Sequence, residues 1–320
     1  MRKEVRNLVF VIIVGILMGG CENELKSYNS VALEDQSKFE MYIPREDAVR
    51  VQLNNGECIY MDVADSTYFV GDMLLSQEQI DKINAQNITR SAVIMGKDFY
   101  WPNKVVPYYI AASISLQQRQ EIELALADIE SAAYISFQQS TSGGIGKIVF
   151  ENVAGDVSYS WVGKQATKPN TIQLSSYSSK GTIIHEVMHS LGYFHEHNRK
   201  DRDSYITVLY DNIQPEFLYA FDKYNLNNEG YDRGVFDFNS IMLYSSTYFQ
   251  INNSVYSMVK KNGSPFFAQR SGLSSGDIAG LNFIYGPKCH LTTTIASVDN
   301  QSGIDYRDIT TLLYVVVISL

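Results

Sequence analysis

The stretch His185-Glu186-Val187-Met188-His189-Ser190-Leu191-Gly192-Tyr193-Phe194-His195 constrains the chain more than any other. On a helix, residues i and i+4 share a face, so His185 and His189 present two imidazoles to one point, with Glu186 beside them. Gly192 has no Cβ and ends a helix in the left-handed conformation at little cost. The chain then doubles back and offers His195 as a third nitrogen. Three protein nitrogens around a metal leave one position for water, which is the arrangement of a catalytic site, not a structural one. A bare H-E-x-x-H also fits two surface histidines and a solvated glutamate. Here three of the chain's five histidines stand at the ligand positions, which weighs against that alternative.

Downstream, Ser240-Ile241-Met242-Leu243-Tyr244 has the form of a Met-turn. Together with H-E-x-x-H-x-x-G-x-x-H it makes the metzincin pattern. The run His195-Glu196-His197-Asn198-Arg199-Lys200-Asp201-Arg202-Asp203-Ser204-Tyr205, with Gly181-Thr182-Ile183-Ile184 ahead of it and Tyr244 behind, closely resembles the astacin family of zinc endopeptidases. The resemblance covers residues 91–289. It implies an α+β fold: a metzincin two-lobed catalytic domain, with a twisted mixed sheet, helices, a zinc-binding helix and an irregular C-terminal lobe, preceded by a prosegment. It implies one Zn2+ per domain, held by His185, His189 and His195. Tyr244 would be an additional ligand that swings away to support the transition state, Glu186 the general base, and Glu196 a buried partner for the mature N-terminus.

With 320 residues, 45% hydrophobic and 19% charged, the chain can bury a sizeable core. A net charge of -9 argues against nucleic acid as a partner, because phosphate binding needs a basic face.

Residues 1–20 read as a targeting segment: Arg2, Lys3 and Arg6, then an apolar run at 8–18, then Gly19-Gly20-Cys21. The apolar run is shorter than the roughly 20 residues that span a bilayer. The ending resembles a bacterial lipoprotein signal, in which Cys21 is lipidated and anchors the exported protein on the periplasmic or cell-surface side of a membrane. Met18 departs from that pattern, so ordinary signal cleavage and secretion stays open. The other cysteines are Cys58 and Cys289, and both a bridge between them and two free thiols stay open. Against the resemblance, the family's two internal disulfides are absent, with Tyr134 where one cysteine would stand.

Between residues 21 and 90 the composition is polar and mixed, with a helical period only at 76–84. Phe69-Val70-Gly71-Asp72 reads on its own as a Gly-Asp turn after a strand. Upstream of an astacin-like domain it matches the F-x-G-D of the family's prosegments, whose aspartate takes the open zinc position. Residues 21–90 are therefore expected to be an inhibitory prosegment, with Arg90 in Thr89-Arg90-Ser91-Ala92 as the cleavage point.

In the catalytic part, 101–110 reads as a turn and a strand. Ser115 with Gln118 forms a capping box, and Ile122, Leu126, Ile129 and Ala133 give a helix of about five turns. Residues 135–138, 147–150 and 171–174 are strand-like. The stretch 158–163 stands where the astacin family carries the edge strand above its cleft, so the resemblance implies that its unpaired backbone groups take up a protein or peptide substrate near Ser160-Trp161. After Tyr205 periodicity fades through a loop at 225–230. Ser274 and Asp277 cap a last helix with Ile278, Leu281 and Ile284 or Tyr285 on one face. The tail 290–320 has no functional reading. The chain is thus expected to be an exported zinc endopeptidase made as a zymogen. One alternative is a surface lipoprotein that uses the scaffold to bind protein or glycan; it is disfavoured by an intact Glu186 and histidine set, and another metzincin branch by Tyr244 and the F-x-G-D match.

Overall fold

Four short strands come first among the described elements: β1 (Val49–Gln52), β2 (Cys58–Asp62), β3 (Thr67–Val70) and β4 (Met73–Leu75), each antiparallel to its predecessor. The helix α1 (Gln77–Ala85) follows. The computed structural model describes residues 42, 48–52, 58–85, 97–223, 232 and 234–288. The targeting segment with Cys21, the cleavage point at Arg90, the loop at 225–230, Cys289, the side chain of Cys58 and the tail from 290 lie outside the described residues. The sequence announces the helix here and, through the Gly-Asp turn, the strand before it, but not β1, β2 or β4. β3 and β4 bury every residue, so no alternation of polar and apolar side chains marks them.

The larger part of the sheet is built from β5 (Val105–Ile110), β6 (Ser136–Gln139), β7 (Ile148–Asn152), β8 (Tyr159–Trp161) and β9 (Asn170–Leu174). Among the described residues the strand order is β1-β2-β3-β4-β8-β9-β7-β5-β6 in one nine-stranded sheet. Strands β9, β7, β5 and β6 are parallel, and β8 runs antiparallel to β9. The expected edge strand is therefore not an edge in this chain. β4 lies parallel along β8, and Ser160 and Val162 donate their N–H groups to Asp72 and Leu74 at 3.0 Å each. β8 becomes an edge only when β1 to β4 are set aside.

Against this sheet pack α2 (Leu116–Ala132) and α3 (Lys180–Leu191). The Ser115 hydroxyl caps the Gln118 N–H, but the Gln118 amide reaches the Ser175 carbonyl at 2.6 Å, so the expected capping box is one-sided. Ile122, Leu126, Ile129 and Ala133 are buried as their spacing requires. They meet Ile183, Ile184, Val187, Met188 and Leu191 of α3 in one core, where each large side chain contributes about 1.5–3 kcal/mol. The Tyr134 N–H donates to Gly286 at 2.9 Å, and the Lys104 ammonium lies 4.4 Å over its ring.

The C-terminal part is carried mostly by turns, with β10 (Ile206–Val208) and β11 (Met258–Lys260) paired antiparallel and a 3-10 turn at Pro215–Phe221. Three-residue strands are too short to show a period, which is why this stretch reads as featureless. The last helix, α4 (Ser275–Tyr285), has the complete capping box between Ser274 and Asp277, and buries Leu281 and Tyr285. Among the described residues, no helix is long and apolar enough to cross a membrane.

Candidate metal centre

The local sequence sets α3 in place from both ends. The Ser179 hydroxyl accepts from the Thr182 N–H, and Gly181 lies so close to the next segment that a Cβ would come within 1.8 Å of the Arg270 carbonyl. At the far end Gly192 takes φ 118°, with its N–H on the His189 carbonyl. The core takes the apolar face, leaving His185, Glu186 and His189 together on the other, all fully buried.

The turn after Gly192 brings His195 to the same point. The three Nε2 atoms form a triangle with sides of 3.1 Å (His185 to His189), 3.2 Å (His189 to His195) and 3.3 Å (His195 to His185). The Nδ1–H of His185 donates to the Ile241 carbonyl at 2.8 Å and that of His189 to Tyr193 at 2.6 Å. Those bonds fix the tautomers with the Nε2 lone pairs inward. A tetrahedral ion about 2.0–2.1 Å from each nitrogen needs sides of roughly 3.3 Å, so the donor set fits zinc. Burial lowers the His189 pKa and takes that of His195 to about 4, which keeps both rings neutral, as ligands must be.

Asp72 completes the cluster from 113 residues upstream of His185. It occupies the two-residue turn between β3 and β4, where Val70 pairs with Met73. Its carboxylate, fully buried, lies 3.1 Å from His185 Nε2, 3.0 Å from His195 Nε2 and 3.6 Å from His189 Nε2. The Tyr244 hydroxyl donates to Asp72 Oδ1 at 3.2 Å. Gly71, at φ 65°, is the residue this approach demands: a Cβ there would lie 2.7 Å from the Tyr244 hydroxyl. The Gly-Asp turn and the approach to the three histidines thus belong to the same two residues.

The loop 240–244 runs beneath. Its Ile241 carbonyl holds His185, and its Met242 carbonyl accepts from the Glu196 N–H at 3.0 Å. One residue that the sequence shows only as a helix cap turns out to hold this loop. Asp277 accepts from the Ser240 hydroxyl at 2.7 Å and from the Ile241 N–H at 2.9 Å, besides the Ser274 N–H at 2.9 Å. Glu196 is buried and accepts from Arg199 at 3.0 Å and from the Asp237 N–H at 2.8 Å. Burial pushes its pKa up to about 8 in spite of Arg199. A cavity of about 30 Å³ adjoins it, lined among others by Arg199, Asp237 and Asp277, with room for a group the size of a water or an ammonium.

A sequence model of the peptidase family described as Astacin matches residues 94–286. The chain is 34% identical over 229 residues to flavastacin of Elizabethkingia meningoseptica, an alignment covering 68% of this chain and 50% of that protein. It is 30% identical over 226 residues to the zinc metalloproteinase nas-4 of Caenorhabditis elegans, covering 70% of each. The chain spans half or less of the length of the first curated relatives it matches. Among solved structures, high choriolytic enzyme 1, a hatching enzyme zinc-protease from Oryzias latipes (Medaka fish), is similar with a TM-score of 0.53 at 29% identity, covering 63% of this chain and 100% of that one.

Proposed function

The chain belongs to the astacin family of peptidases, and from that premise we propose that it is an exported zinc endopeptidase made in latent form. The observation that carries this reading is the triangle of buried Nε2 atoms beside a buried Glu186. His185, His189 and His195 would hold the ion, and zinc bound there would supply the Lewis acidity that polarises a peptide carbonyl and makes water a stronger acid. Glu186 is the general base, taking a proton from the attacking water and passing it to the leaving amine. Tyr244 directs its hydroxyl at the oxygen where negative charge develops; its ring is held against His197 at 4.2 Å and His195 at 4.3 Å.

In the uncut chain Asp72 takes the place the reactants need, and β4 covers the strand along which a substrate would add. Residues 21–90 act as an inhibitory prosegment, removed by a cut near Arg90 to leave the catalytic domain 91–289. The new N-terminus is then received by Glu196 beside its small cavity. Lipidation of Cys21 ties the exported enzyme to a membrane.

The test of the chemistry is Glu186→Gln in trypsin-treated protein. It keeps its zinc and loses at least about a hundredfold in kcat, since a general base contributes about 10²–10⁴-fold. Activity within tenfold of wild type would remove Glu186 from that role. The anchor is tested separately by detergent phase partition. Wild type enters the detergent phase and Cys21→Ser does not, whereas an aqueous wild type would refute lipidation.

A further inference from the structure

The side chains that fill a cleft in the latent chain mark surfaces that a substrate meets once they leave. Tyr219 is such a surface. It belongs to the turn Pro215–Phe221, which is fastened beside the metal centre: the Ala220 carbonyl accepts from His197 Nε2 at 3.1 Å and from the Asn198 amide at 2.9 Å, two and three residues after His195. The Tyr219 ring, 6% exposed, is covered by two aromatic residues of the prosegment. Tyr60 lies against it with ring centroids 4.6 Å apart, and Phe69 meets it edge-on at 6.1 Å. The Tyr219 hydroxyl is buried and has no hydrogen-bond partner among the described residues. A phenol buried without a partner is costly, and the cost is relieved when another state of the molecule supplies one.

We propose that Tyr219 is a specificity-determining residue of the mature cleft, taking an aromatic side chain of a peptide substrate where Tyr60 and Phe69 lie in the latent chain, with its hydroxyl turned to the substrate backbone. The proposal rests on the peptidase reading. This role accounts for two observations at once: an aromatic wall with aromatic occupants, and a hydroxyl whose partner is missing while they are there. Removing the ring removes the selectivity; removing only the hydroxyl does not.

The experiment uses trypsin-treated full-length enzyme and a set of peptides that carry phenylalanine or alanine at each position on either side of the cleaved bond. Wild type favours phenylalanine at one position by about three- to tenfold in kcat/KM, the range that an aromatic pair supplies. Tyr219→Ala brings that ratio near one, and Tyr219→Phe retains it. A merely structural role would lower both members of each pair and leave the ratio alone, so an unchanged ratio in Tyr219→Ala overturns the proposal. An absence of aromatic preference in wild type overturns it as well. If Tyr219→Ala loses zinc or unfolds, Tyr219→Leu keeps the volume without the ring and decides the same question. Direct binding of the phenylalanine and alanine peptides to Glu186→Gln, with and without Tyr219→Ala, reads the same ratio without turnover. Wild type that cleaves no peptide defeats the peptidase reading, while the binding arm still decides Tyr219.

Discussion

Gly71 is the smallest residue beside the Asp72–histidine cluster and one of the most constrained. Its φ of 65° suits a residue without Cβ, and the space a Cβ would take lies 2.7 Å from the Tyr244 hydroxyl. Alanine there has to leave the left-handed region, at a cost of about 1–2 kcal/mol, or push Tyr244 aside. Either movement displaces the neighbouring Asp72 from the three histidines. Gly71→Ala is therefore expected to raise the activity of uncut protein about five- to thirtyfold, the population change that such an energy brings. The measurement is peptide hydrolysis by uncut protein, with electrophoresis to show that it stays uncut. Activity no higher than that of uncut wild type would mean that the turn absorbs the methyl group without moving Asp72. At this scale the sequence was highly legible, because His185, Glu186, His189 and Gly192 act through one helix and its cap, whose geometry is local. Tyr219 was not, since a tyrosine among 22 carries no mark of the two rings that cover it.

Among the elements, α4 shows how a local signal can conceal a distant one. Ser274 and Asp277 are spaced as a capping box, and they make one. The same carboxylate reaches 36 residues back to the Ile241 N–H, whose own carbonyl holds His185. No spacing rule links residues so far apart in sequence. Asp277→Asn has a single acceptor oxygen where the carboxylate takes bonds on two, so at least one of its three donors loses its partner. The expected destabilisation is about 1–3 kcal/mol, seen as a fall of several degrees in Tm with the fold kept. Zinc affinity should fall along with it. An unchanged Tm would show that water or a rearranged loop replaces the bond. The strands divide by the same logic. β5, with its alternating burial, could be read from sequence, and β3 only through the Gly-Asp turn that ends it, whereas β4, β10 and β11 have three residues each and no pattern of their own.

For the whole molecule, the decisive feature is that the sheet does not stop where the family match begins. Four strands from the region upstream of residue 90 extend it across β8, and Phe69, Met73, Leu74, Leu75 and Ile80 are buried in a core shared with Phe194, Tyr219 and Tyr244. The Gln79 amide adds a bond to the Val162 carbonyl at 2.7 Å. If this region is the inhibitory prosegment proposed above, an inhibitor held this way does not depend on the peptide bond at Arg90 for its affinity, only for its local concentration. While the bond is intact, that concentration is on the order of millimolar or above, whatever the protein concentration. Once it is cut, the inhibitor becomes a separate ligand, and latency obeys mass action. Trypsin-nicked protein with its fragment intact should show low specific activity when concentrated, rising on hundredfold dilution after a lag set by the fragment's off-rate. Specific activity that does not change with dilution would mean the cut alone ejects the fragment. On the proposed reading, a cell that nicks the protein at high local density would thus store it still silent, and the step that releases its activity would be dispersal.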